Sequence, residues 1–163
     1  MNLKPISLKE AKDKIQKECG ERLSAWMDNA KWFLCSLNSD EFKNLLVYYN
    51  GPQRGWQLLT PDSSSRISDV AKALREYDGS DRGLMDSKTK VSEYEKKIDS
   101  IGYFQVFCLC RVGTSGRITL FETNHRALAL YWHCFLLPNK GEFPMISESV
   151  LGEVSSKQPF QFE

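Results

Sequence analysis

The run from Tyr103 to Leu137 constrains the fold more than any other stretch of the chain. Tyr103-Phe-Gln-Val-Phe-Cys-Leu-Cys-Arg-Val112 is rich in aromatic and β-branched residues and reads as a strand, Gly113-Thr-Ser-Gly116 as a turn, and Arg117 to Phe121 as a second strand. Asn124 to about Leu137 then reads as a helix, apolar nearly all round and stopped by Pro138, which places it centrally. The junction between second strand and helix is Glu122-Thr-Asn-His-Arg126. Thr123 or Asn124 suits the N-cap, so His125 and Arg126 fall in the first turn, facing the positive end of the helix dipole. Cations there cost roughly 0.3 to 1 kcal/mol unless something compensates. An anionic ligand held by the first backbone amides would reconcile the charges. Pairing of Glu122 with Arg126 would satisfy them without any ligand.

Upstream of this run the chain reads as helices with short strands. Ser7-Leu-Lys-Glu10 is a capping box, and Leu8, Ala11, Ile15, Cys19, Leu23 and Trp26 fall near helical spacing, predicting a helix to about Met27, bent near Gly20. Lys31 to Leu37 fits a strand, and Phe42 to Tyr49 fits a helix unwinding into a strand-like end. Gly51-Pro-Gln-Arg-Gly55 is a turn, followed by a brief edge strand over Trp56 to Leu59. The stripe Ile67, Val70, Ala71, Leu74, Tyr77 predicts a helix with a serine cap, and Val91, Tyr94 and Ile98 mark another that stops at Gly102. Between these helices, Asp78-Gly-Ser-Asp-Arg-Gly83 marks the best boundary between an N-terminal part, 1–78, and a core, 79–163, or a lid within one domain 1–163. There are no internal repeats and no low-complexity tract.

Composition narrows the function classes. Lys plus Arg number 22 against 21 Asp plus Glu, so no global field draws the chain to nucleic acid or to an anionic membrane. No apolar stretch approaches the ~20 residues of a membrane span, and Met-Asn-Leu-Lys-Pro lacks a secretory core, so the expected compartment is the cytoplasm. The five cysteines include no Cys-x-x-Cys pair and read as small packed hydrophobes rather than a disulfide frame or a zinc cage. Trp26, Trp32 and Trp132 belong to core stripes, leaving Trp56 beside Arg54 as the exposed candidate. The lysines Lys88, Lys90, Lys96 and Lys97 alternate with acids, as on a solvated face. His133 reads as a core or rim histidine.

The junction resembles the ParB/sulfiredoxin superfamily, whose signature reads Gly-x-His-Arg or Gly-x-Arg-Arg at the head of an Ala-rich helix. Thr123-Asn124-His125-Arg126 lies over it, and Lys90 to Gly102 is similar to the family's preceding helix and glycine, so the resemblance spans roughly residues 87 to 137. It implies an α+β fold, a small mixed sheet with packed helices, here with an N-terminal helical extension. It also implies phosphates held at the helix start by Thr123, Asn124 and Arg126, with Glu122 and His125 as catalytic groups and ATP or CTP, with Mg²⁺, as ligand. Asn124 stands where sulfiredoxins place their cysteine nucleophile, which argues against sulfinic-acid repair. Only 26 residues follow Leu137, short of the helix-turn-helix domain of partition proteins. Thr123 replaces the signature glycine, and a β-branched residue resists the angles and close approach glycine permits.

Three functions follow from that reading. The first is nucleotide-dependent phosphoryl chemistry, Glu122 serving as general base or Mg²⁺ ligand. The second is metal-assisted DNA cleavage, with Glu122 activating water and His125 protonating the leaving oxygen. It lacks the concentrated basic surface that phosphate tracking requires. The third is a binding or inhibitory protein that keeps the fold without chemistry, motivated by Thr123.

Overall fold

The local signals at the amino end act where they stand. Strand β1 (Leu3–Ile6) leads into helix α1 (Leu8–Cys19), opened by a full capping box in which Glu10 N–H donates to Ser7 Oγ at 3.1 Å and Ser7 N–H to Glu10 Oε2 at 2.7 Å. Gly20 adopts the left-handed conformation, φ 67°, and closes the helix there instead of bending it. In this computed structural model the described residues are 1–20, 28–47, 58–59, 65–121, 123–138 and 142–155. The expected continuation to Met27, the turn at 51–55 and Trp56 therefore lie outside them.

Next come β2 (Lys31–Leu37), a short α2 (Ser39–Lys43) and β3 (Leu46–Val47), the helix-to-strand change expected around Phe42. Leu58 and Leu59 sit in a turn rather than in an edge strand. Helix α3 (Ile67–Glu76) has Arg66 at its N-cap with no side-chain cap, not the expected serine. Ser65 is instead committed to the sheet side, its carbonyl accepting from Val47 N–H at 3.0 Å. Helix α4 (Arg82–Ile101) follows closely, because the Asp81 carboxylate accepts from Leu84 N–H at 2.9 Å and turns the polar connector into a cap.

Strand β4 (Cys108–Val112) is shorter than the expected strand, since residues 103–107 form an extended lead-in outside the main ladder. After β5 (Thr119–Leu120), α5 (Asn124–Tyr131) widens into a π-helical turn (Trp132–Leu136). The chain closes with β6 (Ile146–Val154), a strand that the expected pattern did not include.

These strands form one mixed sheet in the order β1-β2-β6-β4-β5-β3, so strands from both halves of the chain pair in it. Antiparallel pairs join β1 to β2, β2 to β6 and β4 to β5, whereas β4 with β6 and β3 with β5 are parallel. Alternation along β4 splits the core: Leu109, with Phe107 from the lead-in, meets α2 to α5, while Cys108 and Cys110 meet Ala11 and Ile15 of α1. The result is a mixed α/β architecture with helices on both faces of the sheet. Each such aliphatic or aromatic side chain contributes roughly 1.5 to 3 kcal/mol by leaving water.

Trp32 of β2 lies opposite Gly152 of β6 and is 3% exposed. A Cβ at Gly152 would stand 2.9 Å from Trp32 Cη2, inside van der Waals contact with a ring that has nowhere to retreat. Gly152→Ala is therefore expected to destabilise the fold by about 1 to 3 kcal/mol. Urea unfolding of the variant would show it, and an unchanged midpoint would mean that the ring and strand do not pack this way.

Candidate functional site

The β5–α5 junction lies at the level where β4 begins, since Phe121 N–H donates to Cys108 O at 2.9 Å. Thr123 is the N-cap of α5 and, among the described residues other than glycine, the one with positive φ (66°, ψ 17°). A β-branched residue in this left-handed region is strained by about 1 to 2 kcal/mol. Thr123 thus adopts the conformation a glycine would take without cost. Part of the compensation is visible: Cys108 N–H donates to Thr123 Oγ1 at 3.3 Å, tying the strained residue to the central strand.

The amides of Asn124, His125 and Arg126 precede the first intrahelical bond of α5, from Ala127 N–H to Thr123 O at 3.0 Å. Asn124 carries a buried Oδ1 with no hydrogen-bond partner among the described residues. His125 and Arg126, about 100° apart on a helix, separate in space. His125 turns to α4, its Nε2 at 3.3 Å from Oγ of the buried Ser87. Arg126 turns to the end of α1, donating from Nη1 to Glu18 O at 2.8 Å. Its guanidinium also lies 5.6 Å from the Tyr94 ring centroid and 5.7 Å from that of Phe104, within cation–π range. Glu122 lies outside the described residues.

Arg126 lines a cleft of about 510 Å³ together with Tyr94, Lys97, Phe104, Gln105 and Glu148. This is within the range of small-molecule sites. Glu148 is held below the usual carboxylate range by the hydrogen bond from Lys14 Nζ at 2.7 Å. Reasoning from the sequence missed Phe104, Gln105, Ser87 and Glu148 as site residues and read Tyr94 and Lys97 only as core stripe and solvated face. The available signal was Tyr103-Phe104-Gln105 directly after Gly102, a cluster that looks like plain strand until the ladder is seen to begin at Cys108.

The cysteines offer no activated nucleophile among those described. Burial pushes Cys35 and Cys110 up to about 12 and Cys134 up to about 11. No group of three His, Cys, Asp or Glu side chains among the described residues is arranged to hold a metal ion. His133 is buried against α4, its Nδ1 at 2.9 Å from Glu95 Oε1. No described helix is long and apolar enough to cross a membrane.

Two outcomes are expected from this geometry. Thr123→Val keeps the branched shape and the strain but removes the acceptor for Cys108 N–H, so it should destabilise by about 1 to 3 kcal/mol. Thr123→Gly also removes the acceptor yet relieves the strain, and should be milder by about 1 kcal/mol or more. Equal losses in chemical denaturation would show that Thr123 is not strained. For the thiols, a folded-state pKa above that of the unfolded chain means stability intact below about pH 9 and lost as pH rises toward 12. At pH 8 iodoacetamide should label Cys35 and Cys110 far more slowly in the native protein than in denaturant; equal rates by mass spectrometry would contradict their burial.

No known protein family, curated protein or solved structure matches the chain.

Proposed function

We propose that the protein binds a nucleoside triphosphate, ATP or CTP, at the start of α5, in the manner of ParB/sulfiredoxin-like proteins, and carries out phosphoryl chemistry on it. The observation that carries this reading is Arg126: a cation in the first turn of a helix lines a cleft of about 510 Å³ whose walls are aromatic rings as well as charges. A triphosphate joined to a flat base presents that combination of anionic and planar surfaces. The phosphates would take the first-turn amides and the guanidinium. The buried Asn124 Oδ1 is an acceptor, so its complement is a donor, such as a ligand hydroxyl or a water on the Mg²⁺ that accompanies the nucleotide, rather than a phosphate oxygen.

In this reading Glu122 takes the proton of the attacking hydroxyl or water, or helps to hold Mg²⁺, while His125, turned to Ser87 on α4, supports the helix start instead of reaching the cleft. Bound metal would neutralise charge developing on the phosphates. The family resemblance at residues 123–126 supports the assignment, and the left-handed Thr123 supports it further, because the signature glycine is suited to that conformation.

Calorimetric titration of ATP and CTP with Mg²⁺ tests the reading. Arg126→Ala should weaken binding by about 1.5 to 3 kcal/mol, and Arg126→Lys should recover part of the loss by keeping the charge without the planar fork. An unaltered Kd in Arg126→Ala would remove the guanidinium from the site. Turnover abolished by Glu122→Gln supports phosphoryl chemistry, binding without turnover makes this a binding protein, and plasmid cleavage without nucleotide would replace the reading with a nuclease.

A further inference from the structure

Two cations from two different helices line the cleft, and one aromatic ring stands beside both. Lys97 Nζ of α4 lies 5.4 Å from the centroid of the Tyr94 ring, and the Arg126 guanidinium of α5 lies 5.6 Å from the same centroid. The two charges are therefore no more than about 11 Å apart. Tyr94 and Lys97 are three residues apart on α4, so ring and ammonium share one face of that helix. Among the described residues the ring is the one contact of the Lys97 ammonium, and no carboxylate pairs with it. Its three N–H donors face the cleft rim without a hydrogen-bond acceptor among those residues.

The acids of the cleft do not offset this charge. Glu148 takes Lys14 Nζ at 2.7 Å, a bond that holds its carboxyl below the usual range, and Glu18 faces the exposed Lys17 at 3.3 Å. Both lysines belong to α1 and stand outside the cleft lining. Each cleft carboxylate thus has a cation of its own from outside, and the charge of Lys97 stays unbalanced. Two like charges this close repel each other, and an anion set between them turns the repulsion into attraction. His125 does not supply that second arm, because it turns to Ser87.

We infer that Lys97 is the second phosphate ligand of the cleft, meeting from α4 the anion that Arg126 holds from α5. The inference rests on the nucleotide reading above. It adds the partner of Arg126 and the class of anion, linked phosphates in preference to a single one. Cations on separate helices favour an anion that carries charge on more than one centre, because the second contact forms within a complex already made by the first. The roles differ by chemistry: the planar guanidinium fixes one phosphate through paired hydrogen bonds, and the ammonium is a point charge on a flexible stem that follows the next.

The test is calorimetric titration of the full chain with inorganic tripolyphosphate, pyrophosphate and orthophosphate, probes without a base, beside ATP. Lys97→Gln should weaken tripolyphosphate and ATP by about tenfold and orthophosphate much less. Lys97→Arg keeps the charge and should recover most of the loss. Lys96→Gln removes an exposed charge next door on α4 but outside the cleft, and should cost about twofold or less. Lys97 is itself exposed, so its replacement leaves the core intact, and thermal melts would show it. Undiminished binding in Lys97→Gln, or an equal loss in Lys96→Gln, would overturn the assignment. If Arg126→Ala weakens ATP while Lys97→Gln does not, the nucleotide reading stands and the second arm falls. Lys97-dependent binding of tripolyphosphate by a protein that binds neither ATP nor CTP would keep the two-cation site and remove the nucleotide; if neither class of ligand binds, both fall.

Discussion

The parallel pairing of β4 with β6 is the constraint on which the rest of the structure depends. Its register runs from Cys108 opposite Val150 to Val112 opposite Val154, and the pair sits at the middle of the sheet with β2 on one side and β5 on the other. Cys108, Leu109 and Cys110, like Val150 and Leu151, have no exposed surface, because helices cover both faces there. A parallel pair cannot be closed by a tight turn. The connection from β4 to β6 therefore runs out through β5, α5 and the π-helical turn, and this excursion carries the candidate site. Since β5 is antiparallel to β4, the carboxyl end of β5, the amino ends of β4 and β6 and the start of α5 meet at one end of the sheet. Gln105 and Ser147 bond there because Ser147 lies at the amino end of β6 and Gln105 just before β4, and the two strands are neighbours in register.

The charge conflict at the start of α5 has a partial answer inside the fold. Arg126 donates to the carbonyl of Glu18, which lies in the last turn of α1, among the carbonyls that a helix leaves without intrahelical partners. The negative end of one helix thus meets a cation placed at the positive end of another. A phosphate entering the cleft would add to this arrangement or compete with Glu18 for the guanidinium, whose planar fork has donors for more than one acceptor. The two adjacent basic residues do not act as one anion clamp in this geometry. Arg126 belongs to the cleft, and His125 belongs to the seam with α4.

Much of this could be read from residues. The capping box at Ser7, the strand at Lys31 to Leu37, the helix-to-strand change after Phe42 and the helix ending at Gly102 all rest on local chemistry, and local chemistry decides them. The central strand β6 was not legible. Ile146-Ser-Glu-Ser-Val-Leu-Gly-Glu-Val154 follows its first isoleucine with three polar residues, carries a glycine and shows neither strict alternation nor a continuous apolar run. Its identity as a strand comes from partners: Trp32 fills the space above Gly152, and β4 supplies a parallel edge. The cleft was illegible for the same reason. Arg126, Tyr94, Gln105 and Glu148 are brought together by the sheet's register and by the packing of α4 on α5, neither of which any single segment encodes. The cap of α3 failed differently, because Ser65 is drawn into a hydrogen bond with β3 and Arg66 is left at the cap position.

Strain at Thr123 can persist only if the surroundings leave α5 no cheaper place to start. The seam with α4 supplies that condition. Ser87 faces His125 and Glu95 faces His133, pairs with the same separation of 38 residues, so the two helices run side by side in the same direction and are pinned near both ends of the seam. The π-helical turn lies at the far end, where Leu137 N–H reaches back to Trp132 O at 2.9 Å, Trp132 Nε1 donates to Ala71 O at 2.8 Å, and Arg75 donates to Leu136 O. Sliding α5 by one residue to relax Thr123 would break the contacts to Ser87, Glu95 and Ala71 together and lift Leu128 and Leu130 out of the core. That set of losses is several times the 1 to 2 kcal/mol that the left-handed threonine costs. The helix is therefore held from its carboxyl end, and its amino end keeps the left-handed junction that sets Arg126 against the cleft.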